Sequence, residues 1–376
     1  MAMSPDRSAT YEMLGRRVRV EYDSRTARGA DILREELSRY PRAGDGVPDL
    51  TVRYRPVDVP GGGLVNPRNH VELKDGFVMR HRMATVRVRM DGPRLAAIDF
   101  HPTSANSALV THVRRMLDMQ FSSREERAGV MFHEMVLVPA AYWMSDLAIV
   151  HASAFSDSDG RVTLVGGTGG VGKTSLALEL CMHHGFRFLA DDIAFVDDGG
   201  HVWPNLAYPK IYAYNLEDNP SLAERLLAGR GAVDRLHWAL HRRRGPQYVR
   251  RRIAPDVLYG SYDRDGGPLH RYVVLAREDR SDVSVTDLDA SQAASMSTAL
   301  MQAEYYPFHN HLHWHAFNRS VMGRTASLTL RRTVDRWEAL LRGVLADARC
   351  NLVRIPLTMP HDRFKREMAD LLARKD

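Results

Sequence analysis

Cysteine is scarce in this chain of 376 residues, which contains only Cys181 and Cys350. The two lie far apart and lack the short spacing of metal ligands, so the sequence predicts neither a disulfide framework nor a zinc site. A chain that does not depend on disulfides is typical of a reducing compartment. We therefore expect a cytoplasmic protein.

Long apolar segments are missing as well. No stretch reaches the roughly 18 consecutive apolar residues that a membrane-spanning helix needs, and the N-terminal MAMSPDRSATYEMLGRRVRV lacks the apolar core of a secretory signal. Internal repeats and low-complexity tracts are also missing. With 44% hydrophobic and 26% charged residues, the composition predicts a globular protein without a membrane partner.

The basic excess is concentrated in one segment. The formal net charge is +6, and six arginines fall within the twelve residues HRRRGPQYVRRR, 241–252. Such a run is either a solvated loop or a contact for nucleic acid, an acidic peptide or nucleotide phosphates. Because no helix-turn-helix, zinc-finger or RNA-binding signature accompanies it, we disfavour nucleic acid as a partner. An acidic acceptor stays open.

Hydrophobic patterning divides the chain into residues 1–120 and residues 121–376. The first part alternates as strands around one helix, which indicates an additional α+β unit whose role the sequence does not name. Its predicted elements are the strands VRVEY (18–22), LTVRYRPV (50–57) and ATVRVRM (84–90), the helix GADILREELSRY (29–40) and the loop VPGGGLVNPR (59–68). A helix-rich run over 107–142 follows, and the tail from Thr333 predicts helix, strand and helix, with Pro360 opening the last helix.

The stretch VGGTGGVGKTS, 165–175, fits the phosphate-loop pattern G-x-x-x-x-G-K-[ST] at every position. Its glycines let successive backbone N–H groups face an anion, Lys173 supplies a charge for the β- and γ-phosphates, and Thr174 can bind Mg²⁺. A strand at 161–165 enters the loop and a helix at 175–184 leaves it. The predicted nucleotide-binding residues are Gly167, Thr168, Gly169, Gly170, Val171, Gly172, Lys173, Thr174 and Ser175.

Two adjacent carboxylates end the next strand, FLADD, 188–192. Asp191 and Asp192 follow Lys173 by 18 and 19 residues, so the acidic strand is the next element after the loop helix. One carboxylate can hold Mg²⁺ together with Thr174, and the other is free to accept a proton from an attacking hydroxyl. The alternative, a pair of solvated turn residues, is disfavoured by the phosphate loop beside them.

A histidine lies on the other side of the loop. LAIVHASAF (147–155), the turn SDSDG (156–160) and RVTLV (161–165) predict a β-hairpin. A register in which Phe155 faces Arg161 places His151 opposite Val165, beside the phosphate loop and within reach of Asp191. A lone histidine in an apolar strand is more often a core residue, but this position favours a functional one.

The segments VHASAF, GGTGGVGKTS and GFRFLADD, in this order and spacing, resemble the HPr kinase-like superfamily. That group includes HPr serine kinase/phosphorylase and the serine kinases of lasso peptides, and phosphoenolpyruvate carboxykinase shares its fold. The resemblance covers 147–209 well and extends weakly to 271–277 and the tail. It implies a mixed α/β P-loop catalytic domain that binds ATP and Mg²⁺.

The resemblance also implies roles for single residues. Asp191 would act as the general base with His151 supporting it, Asp192 and Thr174 would hold Mg²⁺, and Lys173 with the loop would bind the nucleotide phosphates. The Gly/Ala-rich signature segment of HPr kinase/phosphorylase has no convincing counterpart here. Neither phosphorylase activity nor HPr as the substrate is therefore implied.

Two further features carry alternatives. HNHLHWH places His309, His311, His313 and His315 at a spacing of two, which on a strand would put all four on one face and could chelate zinc or nickel. On a helix they would scatter, and a polar or acceptor-binding surface is then favoured. Lys210 is either a second cation near the phosphates or an ordinary exposed lysine.

These patterns predict an ATP-dependent kinase, a phosphotransferase with an alcohol group as acceptor. The favoured acceptor is a serine of a peptide or protein, and a small-molecule hydroxyl is the alternative. A nucleotide-dependent regulatory or nucleic-acid-associated ATPase, with water as the acceptor, also stays open. The sequence does not set the oligomeric state, and a homo-oligomer is not excluded.

Overall fold

The computed structural model describes residues 8–44, 46–59, 61, 63–66, 69–81, 83–102, 113, 115–123, 125–216 and 220–373. Two large β-sheets carry most of the described strands, each sheet mixing parallel and antiparallel pairs, and helices pack against them. The expectation of a mixed α/β fold is thereby confirmed.

The first sheet forms from strands in which every second residue is buried. This alternation runs through LTVRY and ATVRVRM, as expected when one face of a strand packs on the core. The strand order is β1-β2-β3-β8-β7-β6-β5-β4, with β3 parallel to both of its neighbours. The strands are β1 Ser8–Met13, β2 Arg16–Tyr22, β3 Leu50–Tyr54, β4 Leu64–Asn66, β5 His70–Leu73, β6 Gly76–Arg80, β7 Ala84–Asp91 and β8 Arg94–Pro102.

Two predictions for the early part of the chain meet the structure only in part. The loop predicted over 59–68 is wrong at Leu64–Asn66, which pairs with β5 as an edge strand, while residues 60, 62, 67 and 68 lie outside the described residues. Of the predicted helix-rich run, residues 107–112, 114 and 124 also lie outside them, and Arg127–Ala141 is helical.

The second sheet contains the nucleotide motif. Its order is β12-β10-β11-β17-β14-β13-β9, and β19 pairs with both β17 and β18. β15 and β16 form a separate two-stranded ribbon. The strands are β9 Leu147–Val150, β10 Ala152–Ser156, β11 Val162–Gly166, β12 Arg187–Ala190, β13 Ala194–Asp197, β14 His201–Trp203, β15 Lys210–Tyr212, β16 Arg250–Arg252, β17 Gly267–Glu278, β18 Ser284–Asp287 and β19 Arg349–Pro356.

Helices cover these sheets and close the chain. The predicted tail of helix, strand and helix is confirmed, and the carbonyl of Pro360 accepts the first turn's hydrogen bond from the Phe364 amide. A π-helix, His133–Leu137, interrupts one helical segment. The α-helices are α1 Ala27–Leu37, α2 Arg127–Phe132, α3 Val138–Ala141, α4 Lys173–His183, α5 Pro220–Leu227, α6 Ala232–Arg244, α7 Pro255–Tyr259, α8 Ala290–Glu304, α9 Tyr306–Val321, α10 Leu330–Leu345 and α11 His361–Ala373.

One continuous apolar core runs between the sheets. It includes Val52 and Phe100 of the first sheet, Phe132 of α2, and Ile149 and Val165 of the second sheet. The division at residue 120 stays a prediction, since the sheets are distinct while their core is shared. No helix in the described part of the chain is long and apolar enough to cross a membrane.

Candidate active site

Residues 167–172 form a loop between β11 and α4, at the carboxyl end of a central strand. Gly167 and Gly172 have φ angles of +142° and +117°, which side chains rarely allow. A Cβ atom on Gly167 would come within 2.7 Å of the Leu275 carbonyl oxygen, and one on Gly172 within 2.5 Å of the Phe364 ring. Both positions therefore require glycine, and the path of the loop into the helix depends on them.

The ammonium of Lys173 is folded back against its own loop. Nζ donates to the carbonyl oxygens of Gly167 and Thr168 at 2.6 and 3.1 Å and lies 3.2 Å from Nε2 of His151. These three acceptors match the three hydrogens of an ammonium group. Lys173 is only 6% exposed, and burial lowers its pKa.

His151 is a neutral acceptor for that lysine. Burial, and after it the charge of Lys173, lower the pKa of His151 to about 4. Because an ammonium group cannot accept a hydrogen bond, Nε2 of the neutral ring must accept and Nδ1 must carry the proton. The sequence places His151 within reach of Asp191, but no hydrogen bond between their side chains is among the contacts of the described residues.

The hairpin prediction is confirmed, but its register is wrong by two residues. Phe155 pairs with Thr163, not with Arg161. The cause is a tight turn: the Asp157 amide donates to the Arg161 carbonyl at 3.0 Å, and Gly160 has a φ of +77°. His151 consequently lies in the break between β9 and β10, still beside the loop.

The two carboxylates lie at the end of β12 and differ in their surroundings. Thr174 Oγ1 donates to Asp191 Oδ1 at 2.9 Å, and Ser153 of β10 donates to the Asp191 carbonyl oxygen. The side chain of Asp192 is 52% exposed, and its Oδ2 lies 3.6 Å from Lys210 Nζ. The Thr174 hydroxyl, which the resemblance pairs with Asp192, therefore contacts Asp191.

The charges of this pair are unequal. Burial and the adjacent charge of Asp192 raise the pKa of Asp191 to about 6. Partial desolvation inside the cavity opposes ionisation of Asp192, but its charged neighbours, with Lys210 foremost, lower its pKa. Asp192 is consequently the more acidic carboxyl of the two.

The β15–β16 ribbon forms the opposite wall. Lys210, predicted either as a second phosphate cation or as a surface lysine, pairs with Glu134 of the π-helix at 2.5 Å as well as with Asp192. Arg250 and Arg252 line the same wall, whereas Arg251 between them is buried against Asp234. Alternation along β16 thus separates Arg251 from Arg250 and Arg252, while the other three arginines of the run lie at the end of α6.

A third carboxylate reaches the loop from the end of α8. Glu304 Oε1 accepts a hydrogen bond from the Gly169 amide at 3.0 Å. The loop amides at a helix N-terminus are the groups that bind phosphate. Glu304 therefore places a negative charge where a nucleotide phosphate would be bound.

These groups surround a cavity of about 370 Å³, within the range of small-ligand sites. Of the predicted site residues, Gly167, Thr168 and Val171 do not line it. Those that do are His151, Gly169, Gly170, Gly172, Lys173, Thr174, Ser175, Asp191 and Asp192. Sequence patterns missed the contributions of Glu134, Tyr305 and Glu304, and the arginine run was the only signal that pointed to Arg250.

Ser175 takes part through its side chain. Its hydroxyl accepts a hydrogen bond from Asn215 Nδ2 at 2.8 Å, and Asn215 Oδ1 accepts one from the Tyr212 amide at 3.0 Å. The loop helix is thereby tied to the ribbon across the cavity.

Thr174 and Asp191 fit a magnesium ion. Both donors are hard oxygen atoms, which Mg²⁺ prefers, and Mg–O distances of about 2.0–2.1 Å at right angles place neighbouring ligands about 2.9 Å apart. The separation between Thr174 Oγ1 and Asp191 Oδ1 is 2.9 Å. In the described residues no cluster of three or more histidine, cysteine, aspartate or glutamate side chains is arranged to hold a metal by itself, so nucleotide phosphates and water would complete such a site.

The histidines of HNHLHWH lie on a helix, α9. His309 contacts the Tyr142 hydroxyl, His311 contacts His70 of β5, and His315 contacts Glu72, while His313 is exposed. The strand arrangement with all four on one face is therefore not formed, and the favoured alternative, a polar or acceptor-binding surface, is wrong for the three buried rings. These three rings instead join α9 to other elements.

Comparison with known proteins assigns no family to this chain. No family model matches the chain, and no curated protein matches it. Among solved structures, the Hpr(Ser) kinase/phosphatase from Coxiella burnetii aligns with 60% of this chain and 93% of that chain, at 10% sequence identity and a TM-score of 0.25. At this identity and TM-score the similarity indicates neither the family nor the function of this chain.

Proposed function

We propose that this protein is an ATP-dependent kinase that transfers the γ-phosphate to a hydroxyl acceptor. The observation that supports this best is the placement of Asp192. A phosphate loop with Lys173, and a hydroxyl–carboxylate pair suited to Mg²⁺, account for nucleotide binding. Asp192, which is paired with Lys210 and half-exposed in the same cavity, is not needed for the metal and would meet the hydroxyl of a bound acceptor.

The proposed division of labour differs from the one that the resemblance implies. Thr174 and Asp191 would hold Mg²⁺, which neutralises charge on the phosphates when bound. Asp192 would accept the acceptor proton. The acceptor oxygen forms a bond to the γ-phosphorus, the bond from that phosphorus to the bridging oxygen breaks, and ADP leaves.

His151 acts through another residue in this scheme. Its Nε2 holds the Lys173 ammonium near the loop, so that the cation meets the phosphates in a fixed place. We class it as a positioning residue. The rate contribution of such groups comes from orientation and preorganised charge.

The acceptor is a serine of a peptide or protein, or else a small molecule with a hydroxyl group. The cavity has room for an extended side chain but carries no feature that selects a protein surface. The arginine run does not form one continuous basic surface, because Arg251 is buried and Arg252 pairs with Glu36. Its exposed arginines are Arg242, Arg243 and Arg244 at the end of α6.

Transfer of label tests the proposal. The protein is incubated with γ-³²P-ATP, Mg²⁺ and a cell extract separated into protein and small-molecule fractions, with Lys173→Met as the inactive control. Label on a stable acceptor that depends on Lys173 supports the kinase. Release of labelled free phosphate alone would instead identify an ATPase, and no turnover of ATP in any fraction would contradict both.

A further inference from the structure

Side chains alternate between the two faces of the β15–β16 ribbon. Lys210 pairs with Arg252 across the ribbon, and Tyr212 pairs with Arg250. All four side chains line the cavity, whereas Ile211 and Arg251 between them are buried on the other face. One face of two short strands therefore presents three cations and a phenol to the proposed acceptor.

Two of the three cations are already paired. Lys210 is neutralised by Glu134 and Asp192. Arg252 lies against Glu36, with Nη2 to Oε1 at 2.5 Å. Neither cation has a charge left for a ligand unless an existing ion pair breaks.

Arg250 is different. It forms no ion pair with any residue in the described part of the chain. Its Nη1 donates to the Tyr212 hydroxyl at 2.7 Å, and its buried Nε has no hydrogen-bond partner. Unpartnered buried donors are rare in native proteins, and a ligand is one of the groups that satisfies them.

The guanidinium of Arg250, with its unpartnered Nε, favours one chemical class of ligand. A guanidinium presents a rigid fork of donors that matches the two oxygen atoms of a carboxylate or phosphate. Tyr212, whose ring centroid lies 5.4 Å from the Arg250 guanidinium carbon, holds the fork in place. Since Arg250 and Asp192 line the same cavity, an anion on Arg250 would lie near the hydroxyl that Asp192 serves.

We propose that the acceptor carries an anionic group, a carboxylate or a phosphate, which Arg250 binds while Asp192 faces the acceptor hydroxyl. This inference rests on the proposed function only in treating the bound anion as part of the acceptor. The anion site itself is a property of Arg250 and the ribbon. Two sources offer the same chemistry, a small hydroxy acid or sugar phosphate and an acidic peptide.

The test uses inorganic phosphate as the probe. Isothermal titration measures phosphate binding to the protein after Mg·AMPPNP has filled the phosphate loop. We expect Arg250→Gln to weaken phosphate binding at least tenfold, Arg250→Lys to weaken it less, and Arg243→Gln, an exposed arginine of α6, to leave it unchanged. Equal phosphate affinity in wild type and Arg250→Gln, with unchanged melting temperatures, would overturn the inference.

The same samples separate this inference from the proposed function. If Mg·AMPPNP does not bind, the kinase proposal fails, and the phosphate titration on the free protein still tests Arg250. Displacement of bound phosphate by glycerol 3-phosphate but not glycerol identifies a small-molecule acceptor, and displacement by an Asp-Ser-Asp peptide but not Gly-Ser-Gly identifies a peptide. Displacement by neither reduces the site to an adventitious ion only and overturns the acceptor role.

Discussion

The hydroxyl of Thr174 donates to Asp191, not to Asp192. This contact separates two neighbouring carboxylates that are indistinguishable in sequence. Asp191 is 8% exposed and turned towards the loop helix, while Asp192 faces Lys210 across the cavity. Adjacent residues at a strand end point in different directions, so one can serve the metal and the other the acceptor.

Exchanging each carboxylate for an amide tests this division. We expect Asp191→Asn to weaken Mg²⁺-dependent ATP binding, because it removes an anionic ligand next to Thr174. We expect Asp192→Asn to keep Mg·ATP affinity and lose about 10²–10⁴-fold in transfer rate, the usual contribution of a general base. Titration of Mg·ATP and single-turnover transfer measure the two effects. The reverse pattern would restore the assignment that the resemblance implies.

Because His151 contacts Lys173, we expect substitutions of the two residues to have non-additive effects on the transfer rate. Lys173→Met should cost about 100-fold or more in rate, since it removes a preorganised cation. Adding His151→Ala should then cost little more, because the histidine acts through the lysine.

A structural role for His151 would give another result. His151→Gln, which keeps an acceptor, should recover much of the rate that His151→Ala loses, with melting temperatures close to wild type. If the single losses instead multiply and the melting temperature of His151→Ala falls steeply, His151 contributes through packing alone.

Glu304 occupies the Gly169 amide and repels a phosphate. We expect Glu304→Gln to bind Mg·ATP about threefold to tenfold more tightly, which corresponds to about 0.7–1.4 kcal/mol. Glu338→Gln, whose carboxylate pairs with Arg342 on α10, is the matched control. Calorimetric titration gives both affinities. Weaker binding in Glu304→Gln would mean that the carboxylate supports the nucleotide instead of competing with it.

Because His311 is buried, we expect the protein to lose folding stability at acidic pH. Burial, and then the nearby His70 and His81, lower the pKa of His311 to about 3, whereas an unfolded chain protonates histidine below about 6.5. The folded pKa is depressed, so this stabilisation is present above pH 6.5 and falls between pH 6.5 and 3. The slope is about 1.4 kcal/mol per pH unit for this one group.

Urea unfolding at pH 7.5, 6.5, 5.5 and 4.5 measures that slope. His311→Gln should show a shallower fall in unfolding free energy than wild type, and His313→Gln, exposed on the same helix, should follow wild type. Parallel curves for wild type and His311→Gln would show that the ring is not buried neutral.

Local patterns in the sequence predict the centre of the site well. The strand, glycine loop and helix at 161–184 follow from short-range rules, because each depends on residues within a few turns of one another. Asp191 and Asp192 follow from their distance to Lys173. The register of the hairpin did not follow, because it depends on a three-residue turn set by Asp157 and Gly160.

The rest of the cavity is brought together over long distances in the chain. Glu304 lies 135 residues from the amide that it contacts, and Glu134 lies 76 residues from Lys210. No periodicity or motif encodes such pairs, since each is produced by the packing of whole helices against the sheet. The orientation of Thr174 towards Asp191 is likewise set by side-chain rotamers that spacing cannot supply.

The π-helix at His133–Leu137 sets the direction in which Glu134 points into the cavity wall. A π turn holds one residue more than an α turn, and each residue of a helix turns the chain by about 100°. Removing one residue here would therefore rotate Glu134 away from Lys210 by about 100°, and it would set Pro139, which has no N–H group, in the interior of an α-helix. Lys210 would then keep Asp192 as an ion-pair partner, and the wall of the cavity would lose the carboxylate of Glu134.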